Sequence, residues 1–166
     1  MKTLLIIRHA KSSWDNINTP DIERPLNDRG KKDAPAMARK VIKKGIRVDC
    51  LVSSPARRTR STAQLFAREF NIKDNDIVIL NELYHAPPAV FQQVIIGLKD
   101  EDNTVALFSH NPGITAFVNT LSTVRLDNMP TCAVFAVKSD SPKWSEFFTA
   151  NREFLFFDYP KSATAD

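Results

Sequence analysis

Five runs of large aliphatic residues recur along the chain, at Thr3–Ile7, Val48–Val52, Ile77–Leu80, Thr104–Phe108 and Cys132–Val137. They are continuous rather than alternating, which is how strands read when both faces of a sheet are covered. Stretches of helical period lie between them. Gly30–Lys44 carries Met37, Val41 and Ile42 and stops at Gly45, and Arg57–Phe70 carries Ala63, Leu65, Phe66 and Phe70. Pro88–Leu98 follows, and then Pro112–Leu121, which has proline in its first turn. Strand alternating with helix predicts an α/β domain: a three-layer sandwich with a mostly parallel central sheet and helices on both faces. Trp144–Tyr159 alternates aromatic and polar residues and suits an added edge strand. Pro35 falls inside the first helical stretch, where it either starts or kinks a helix.

A chain of 166 residues supports one core, so residues 1–166 are expected to form a single domain. With 43% hydrophobic and 25% charged residues, disordered and fibrous classes are excluded. The net charge of +4 is spread without a run of five Lys or Arg, which argues against nucleic acid and suits an anionic substrate. Cys50 and Cys132 are far apart and form no CxxC, so a reduced, cytoplasmic setting is expected. The apolar start ends at Arg8, too soon for the core of a secretion signal, and no stretch approaches a membrane span. The expectation is a monomer with neither nucleic-acid nor membrane partners.

In an open parallel sheet, ligands bind beyond the carboxyl ends of the strands. Arg8-His9 follows the first run, Ser53-Ser54-Pro55-Ala56-Arg57-Arg58 the second, Asn81-Glu82 the third and Ser109-His110-Asn111-Pro112 the fourth. Each is ordinary alone. An Arg-His pair is surface charge more often than chemistry, and Ser54-Pro55 reads as a cap and first turn of a helix. Together they put two imidazoles, two or three guanidiniums and one carboxylate on one edge. Guanidinium forks match phosphate oxygens and stay charged, and helix amino termini near Pro55 and Pro112 would add N–H groups. An imidazole can serve as nucleophile or as electrostatic partner. This is a site for a phosphoryl group, and with arginines to neutralise charge it needs no metal or cofactor.

Competing motifs fail on position. Asp100-Glu101-Asp102-Asn103-Thr104 matches an aspartate-nucleophile pattern, but it precedes a strand where that chemistry needs it to follow one. Neither cysteine has an arginine six residues on, Gly30-Lys31 lacks the upstream glycine of a phosphate-binding loop, and no GxGxxG occurs. Three histidines without paired spacing do not form a zinc framework.

Arg8-His9-Ala10, Ser54-Pro55-Ala56-Arg57-Arg58 and His110, in this order, resemble the histidine phosphatase superfamily with its phosphoglycerate-mutase-like fold. Arg24-Pro25-Leu26-Asn27 with Gly30 also resembles the approach to that family's first helix. Arg8-His9-Ala10-Lys11-Ser12-Ser13-Trp14, the short length and the missing inserts are most similar to SixA-type phosphohistidine phosphatases. The resemblance implies that His9 is the nucleophile and that Arg8, Arg58 and His110 bind the phosphoryl oxygens, with Arg58 rather than Arg57 as the phosphate arginine. Ser12 and the backbone of Asn111 are implied as further substrate-binding groups.

The resemblance also offers Glu82 as general acid. An alkoxide leaving group badly needs a proton, whereas the imidazole of a phosphohistidine needs one much less. Glu82, Asp15 near the Arg-His loop, or no acid at all therefore remain open, and His85 reads as a rim residue. Only one helical segment fits between Leu80 and Val105, where family members acting on small sugars or glycerates carry a lid. An open site suits a phosphorylated side chain on a signalling or phosphotransfer protein. The alternatives are a small-molecule phosphomonoesterase acting on sugar or nucleotide phosphates, and a non-catalytic phosphate-binding module.

Overall fold

Four consecutive aliphatic residues of the first strand split between two cores. Leu4 and Ile6 enter one cluster and Leu5 and Ile7 the other, all fully buried. Side chains alternate across a strand, so a continuous apolar run is what a sheet covered on both faces requires. The computed structural model describes residues 1–160. Its strands are β1 (Lys2–Arg8), β2 (Cys50–Ser53), β3 (Val78–Ile79), β4 (Thr104–Ser109), β5 (Val134–Ser139) and β6 (Arg152–Asp158). Its helices are α1 (Asp28–Lys43), α2 (Arg57–Glu69), α3 (Pro88–Ile96) and α4 (Gly113–Val118).

The sheet order is β3-β2-β4-β1-β5-β6. β1 to β4 run parallel, while β5 is antiparallel to β1 and β6 antiparallel to β5. Met37, Val41, Ala63 and Phe66 of α1 and α2 pack on the face of Leu5 and Ile7; Phe91, Ile95, Ile114 and Phe117 of α3 and α4 pack on the face of Leu4 and Ile6. Each such side chain contributes about 1.5–3 kcal/mol by leaving water. The result is the three-layer α/β architecture expected of a phosphoglycerate-mutase-like fold.

Local differences have local reasons. β3 is only two residues long, and Val78 and Ile79 stay 42% and 41% exposed because it is the sheet's edge. α1 starts earlier than its apolar period, because the Asn27 side chain accepts from the Gly30 N–H at 2.9 Å and caps it; Pro35 lies within the helix. Ser54 is not the cap of α2. That helix begins after Ala56, which has no capping side chain, and Pro55 therefore lies outside it. The aromatic tail supplies β6 from Arg152 onward, after a short turn at Trp144–Glu146. Asp100 and Asp102 precede β4, away from the carboxyl ends of the strands, and the Asp100 side chain accepts from the Trp144 N–H. Among the described residues no helix is long and apolar enough to cross a membrane.

Candidate active site

Strand register brings the predicted residues together. Arg8 pairs with Ser109 and Ser53 with Phe108, so His9, Ser54 and His110 emerge side by side where β1, β2 and β4 end. The backbone bonds continue past the strands, from His9 N to Ser109 O and from Ser54 N to Phe108 O, each at 3.2 Å. The rings of His9 and His110 lie 5.5 Å apart.

His9 is buried, and its Nδ1 lies 2.8 Å from the carbonyl oxygen of Ala10. A carbonyl only accepts, so Nδ1 carries the proton and Nε2 keeps its lone pair. Burial lowers the pKa of His9 to about 3, against the raising effect of the Ala10 bond and helped by Arg58, Arg8 and Arg24. The ring is therefore neutral at ordinary pH, as a nucleophile must be. The Ala10 N–H donates to Thr62 Oγ1 at 2.9 Å, which ties the loop after His9 to α2.

His110 stands beside it, with Nε2 2.6 Å from Ser54 Oγ. Ser54 Oγ also lies 2.9 Å from Thr59 Oγ1 and accepts from the Ala56 N–H. Burial pushes the His110 pKa down to about 2, with Arg58, His9 and His85 adding to the effect. The Nη1 of Arg8 donates to Met129 O at 2.8 Å. Asn111 braces the same loop, donating through Nδ2 to Asn128 Oδ1 and Met129 O. Arg8 Nε, Arg58 Nε and His110 Nδ1 are all buried without a hydrogen-bond partner. Orphaned buried polar atoms cost about 1–3 kcal/mol each, and an oxyanion among these three residues would satisfy them.

Arg58 is nearly fully buried, and its outer edge is held by Asp21, through Nη1 to the backbone carbonyl at 2.7 Å and Nη2 to Oδ2 at 3.1 Å. The same carboxylate accepts from the Tyr84 hydroxyl at 2.5 Å and from Arg24 Nε at 3.3 Å. These hydrogen bonds and the Arg58 charge outweigh partial burial and hold Asp21 well below the usual carboxylate range. Arg24 in turn donates to Ser12 Oγ at 2.5 Å and stacks on Trp14 at 3.7 Å. Ser12 thus anchors an arginine, and Arg57 stays exposed.

Glu82 lies in the turn Asn81–Leu83, where Leu83 is buried and Glu82 faces solvent, without a hydrogen bond or ion pair to any described residue. Asp15 is likewise exposed. Asp21, Arg24 and Tyr84 were not singled out from the sequence. Arg24-Pro25 was visible only as part of the approach to α1, and Asp21 gave no signal of its own. The site is open: a larger groove of about 580 Å³ lies beside β3, lined by Cys50, Val78 and Leu80 rather than by the histidines.

Comparison with known proteins agrees with this geometry. The model of the histidine phosphatase superfamily (branch 1) matches residues 4–85, which include Arg8, His9 and Arg58. The chain belongs to the histidine phosphatase superfamily. This histidine phosphatase is similar to a chain from Agrobacterium tumefaciens assigned as a phosphohistidine phosphatase SixA. The two are 26% identical with a TM-score of 0.79, over 96% of this chain and 98% of that one. It shares its fold with the protein histidine phosphatase SixA complexed with tungstate, at 21% identity and a TM-score of 0.80 over 95% and 97% of the two chains. A curated relative, an uncharacterized chloroplastic protein of Arabidopsis thaliana, is 26% identical over 155 residues, 89% of this chain and 71% of the relative. This histidine phosphatase is accordingly a hydrolase of phosphorylated substrates.

Proposed function

We propose that the protein removes the phosphoryl group from phosphohistidine on a signalling or phosphotransfer protein, through a covalent intermediate on His9. The observation that carries this reading is the neutral His9 ring, with Nδ1–H committed to Ala10 O and Nε2 free beside two buried guanidiniums. In the first step Nε2 of His9 attacks phosphorus in line while the bond to the leaving nitrogen breaks. Arg8, Arg58 and His110 hold the equatorial oxygens and take up the developing charge. Water then attacks the phosphohistidine on His9, releasing phosphate and restoring the neutral ring.

The choice of a protein substrate rests on access. Between β3 and β4 the chain has one helix of nine residues, α3, and a short turn, which leaves the mouth uncovered. A phosphorylated side chain projecting from a protein surface reaches such a site, and a small ester gains no enclosure there. The similarity to SixA proteins points the same way.

The test is to incubate the enzyme with a phosphohistidine-carrying protein labelled with radioactive phosphate, beside a panel of small phosphomonoesters. The label should pass to His9 and then to free phosphate, and His9→Ala should abolish both transfers. Hydrolysis confined to the small esters would refute the protein-substrate reading, and phosphate binding without any labelled His9 would refute catalysis.

A further inference from the structure

Four side chains frame the mouth of the pocket, and one has no assigned task. Asp21, Tyr84 and His85 stand outward of Arg58 and His110. The His85 ring lies 5.7 Å from His110 and 4.1 Å from Tyr84, and its Nε2 is 3.6 Å from Asp21 Oδ2. That separation brings charge attraction without a hydrogen bond, so the Nε2–H is not committed. The backbone of His85 has φ of 53°, the left-handed region that a residue with a β-carbon avoids at a cost of about 1–2 kcal/mol. Packing enforces it. A β-carbon on Gly113 would sit 1.8 Å from the Ala86 carbonyl, so the chain after His85 lies directly on the loop after His110. Ser109 Oγ donates to Leu83 O at 2.8 Å and pins the other side of the turn. Strain held this firmly beside reacting groups is a mark of use.

In an in-line displacement the leaving group departs opposite His9 Nε2, from the buried floor towards this mouth. The other proton sources fail there. Glu82 and Asp15 point to solvent, and Asp21 is held ionised by Arg58, Arg24 and Tyr84. The hydroxyl of Tyr84 is already donated to Asp21.

Resting on covalent catalysis at His9, we infer that His85 is the general acid for oxygen leaving groups and gives the enzyme a second activity, phosphomonoester hydrolysis. As the His9 Nε2–P bond forms, the P–O bond breaks, and the electron pair stays on the oxygen. That oxygen takes the proton from His85 Nε2, and the alcohol leaves. The neutral His85 then takes a proton from the water that attacks phosphorus, and the P–N bond electrons return to His9. Asp21 stays a carboxylate throughout and attracts the imidazolium form of His85. A phosphohistidine already protonated on its distal ring nitrogen needs this help much less.

The experiment is a leaving-group series. Turnover of aryl and alkyl phosphates spanning good to poor leaving groups is compared between wild type and His85→Asn. Asparagine tolerates positive φ, so the backbone turn is preserved, and it cannot exchange a proton as an acid does. Activity should fall several-fold for p-nitrophenyl phosphate and about 100-fold for alkyl phosphates, while the fall on phosphohistidine protein stays small. The basic limb of the pH–rate profile for poor leaving groups should disappear in the variant; the charged and titratable groups facing His85 are Asp21, Tyr84, Arg58 and His110. A uniform fall across the series, or none, would overturn the assignment. Absence of label on wild-type His9 with every substrate would overturn covalent catalysis itself, which separates the two failures.

Discussion

Asp21 and Arg58 are joined by two contacts, Nη1 to the backbone carbonyl at 2.7 Å and Nη2 to Oδ2 at 3.1 Å, which fix the guanidinium plane while its Nε stays unpartnered. A lysine cannot reproduce this. It is a point charge on a flexible stem and cannot meet two acceptors on one side and a phosphoryl oxygen on the other. Arg58→Lys should therefore keep the net charge and the fold but lower kcat/KM by about 10²–10³-fold, as losing an oriented oxyanion donor does. Steady-state kinetics beside a circular dichroism melt would check both halves.

Acid should destabilise the protein before any carboxylate titrates. His9 and His110 are buried neutral, with folded pKa values of about 3 and about 2 against an unfolded value near 6.5. Between those limits the unfolded chain binds more protons, so stability is full above about pH 6.5 and falls as pH drops towards 4. Each histidine contributes a slope of about 1.4 kcal/mol per pH unit. Asp21, whose pKa is also depressed, adds its loss only below the ordinary carboxylate value. Denaturant titrations from pH 7 to 4 should show the slope, and His9→Asn should remove about half of it.

Ser54 orients His110. The 2.6 Å contact to Nε2 leaves Nδ1 as the ring atom available to an oxyanion. Ser54→Ala should cost about 1–3 kcal/mol by orphaning a buried ring nitrogen and the Ala56 N–H. It should also lower kcat roughly tenfold while phosphohistidine still forms on His9. Single-turnover labelling compared with steady-state rates would separate these effects.

Gly113 should tolerate no β-carbon. Alanine there meets the Ala86 carbonyl, and the turn bearing Tyr84 and His85 must move away from His110. Gly113→Ala is expected to lose about 1–3 kcal/mol of stability and most activity on poor leaving groups. Gly97→Ala, whose nearest neighbour is an ordinary 3.5 Å away, should melt like wild type. Thermal melts of both variants make the comparison.

The four residues named from sequence, Arg8, His9, Arg58 and His110, were legible for one reason. Each follows a buried strand or opens the helix after it, and a parallel sheet delivers all such positions to one edge. The two cores were legible as well, because β1, β4 and β5 are apolar without alternation. Position after a strand was a poor guide for Glu82, because burial of Leu83 in the same turn aims the carboxylate outward.

By itself, then, the sequence determined the layered fold and the reactive pair at the end of β1, since strand periodicity and strand-end chemistry are local. Only the tertiary structure decided which carboxylate reaches the site and how His85 faces it. Asp21 comes from a loop turn far from Arg58 in sequence. Its place depends on the stacking of Arg24 on Trp14 and on the close approach of Gly30 to Lys11 O, where a β-carbon would stand at 2.2 Å. His85 depends on Gly113 lying against Ala86. Such contacts between distant loops leave no periodic trace along the chain, because steric fit in three dimensions selects them.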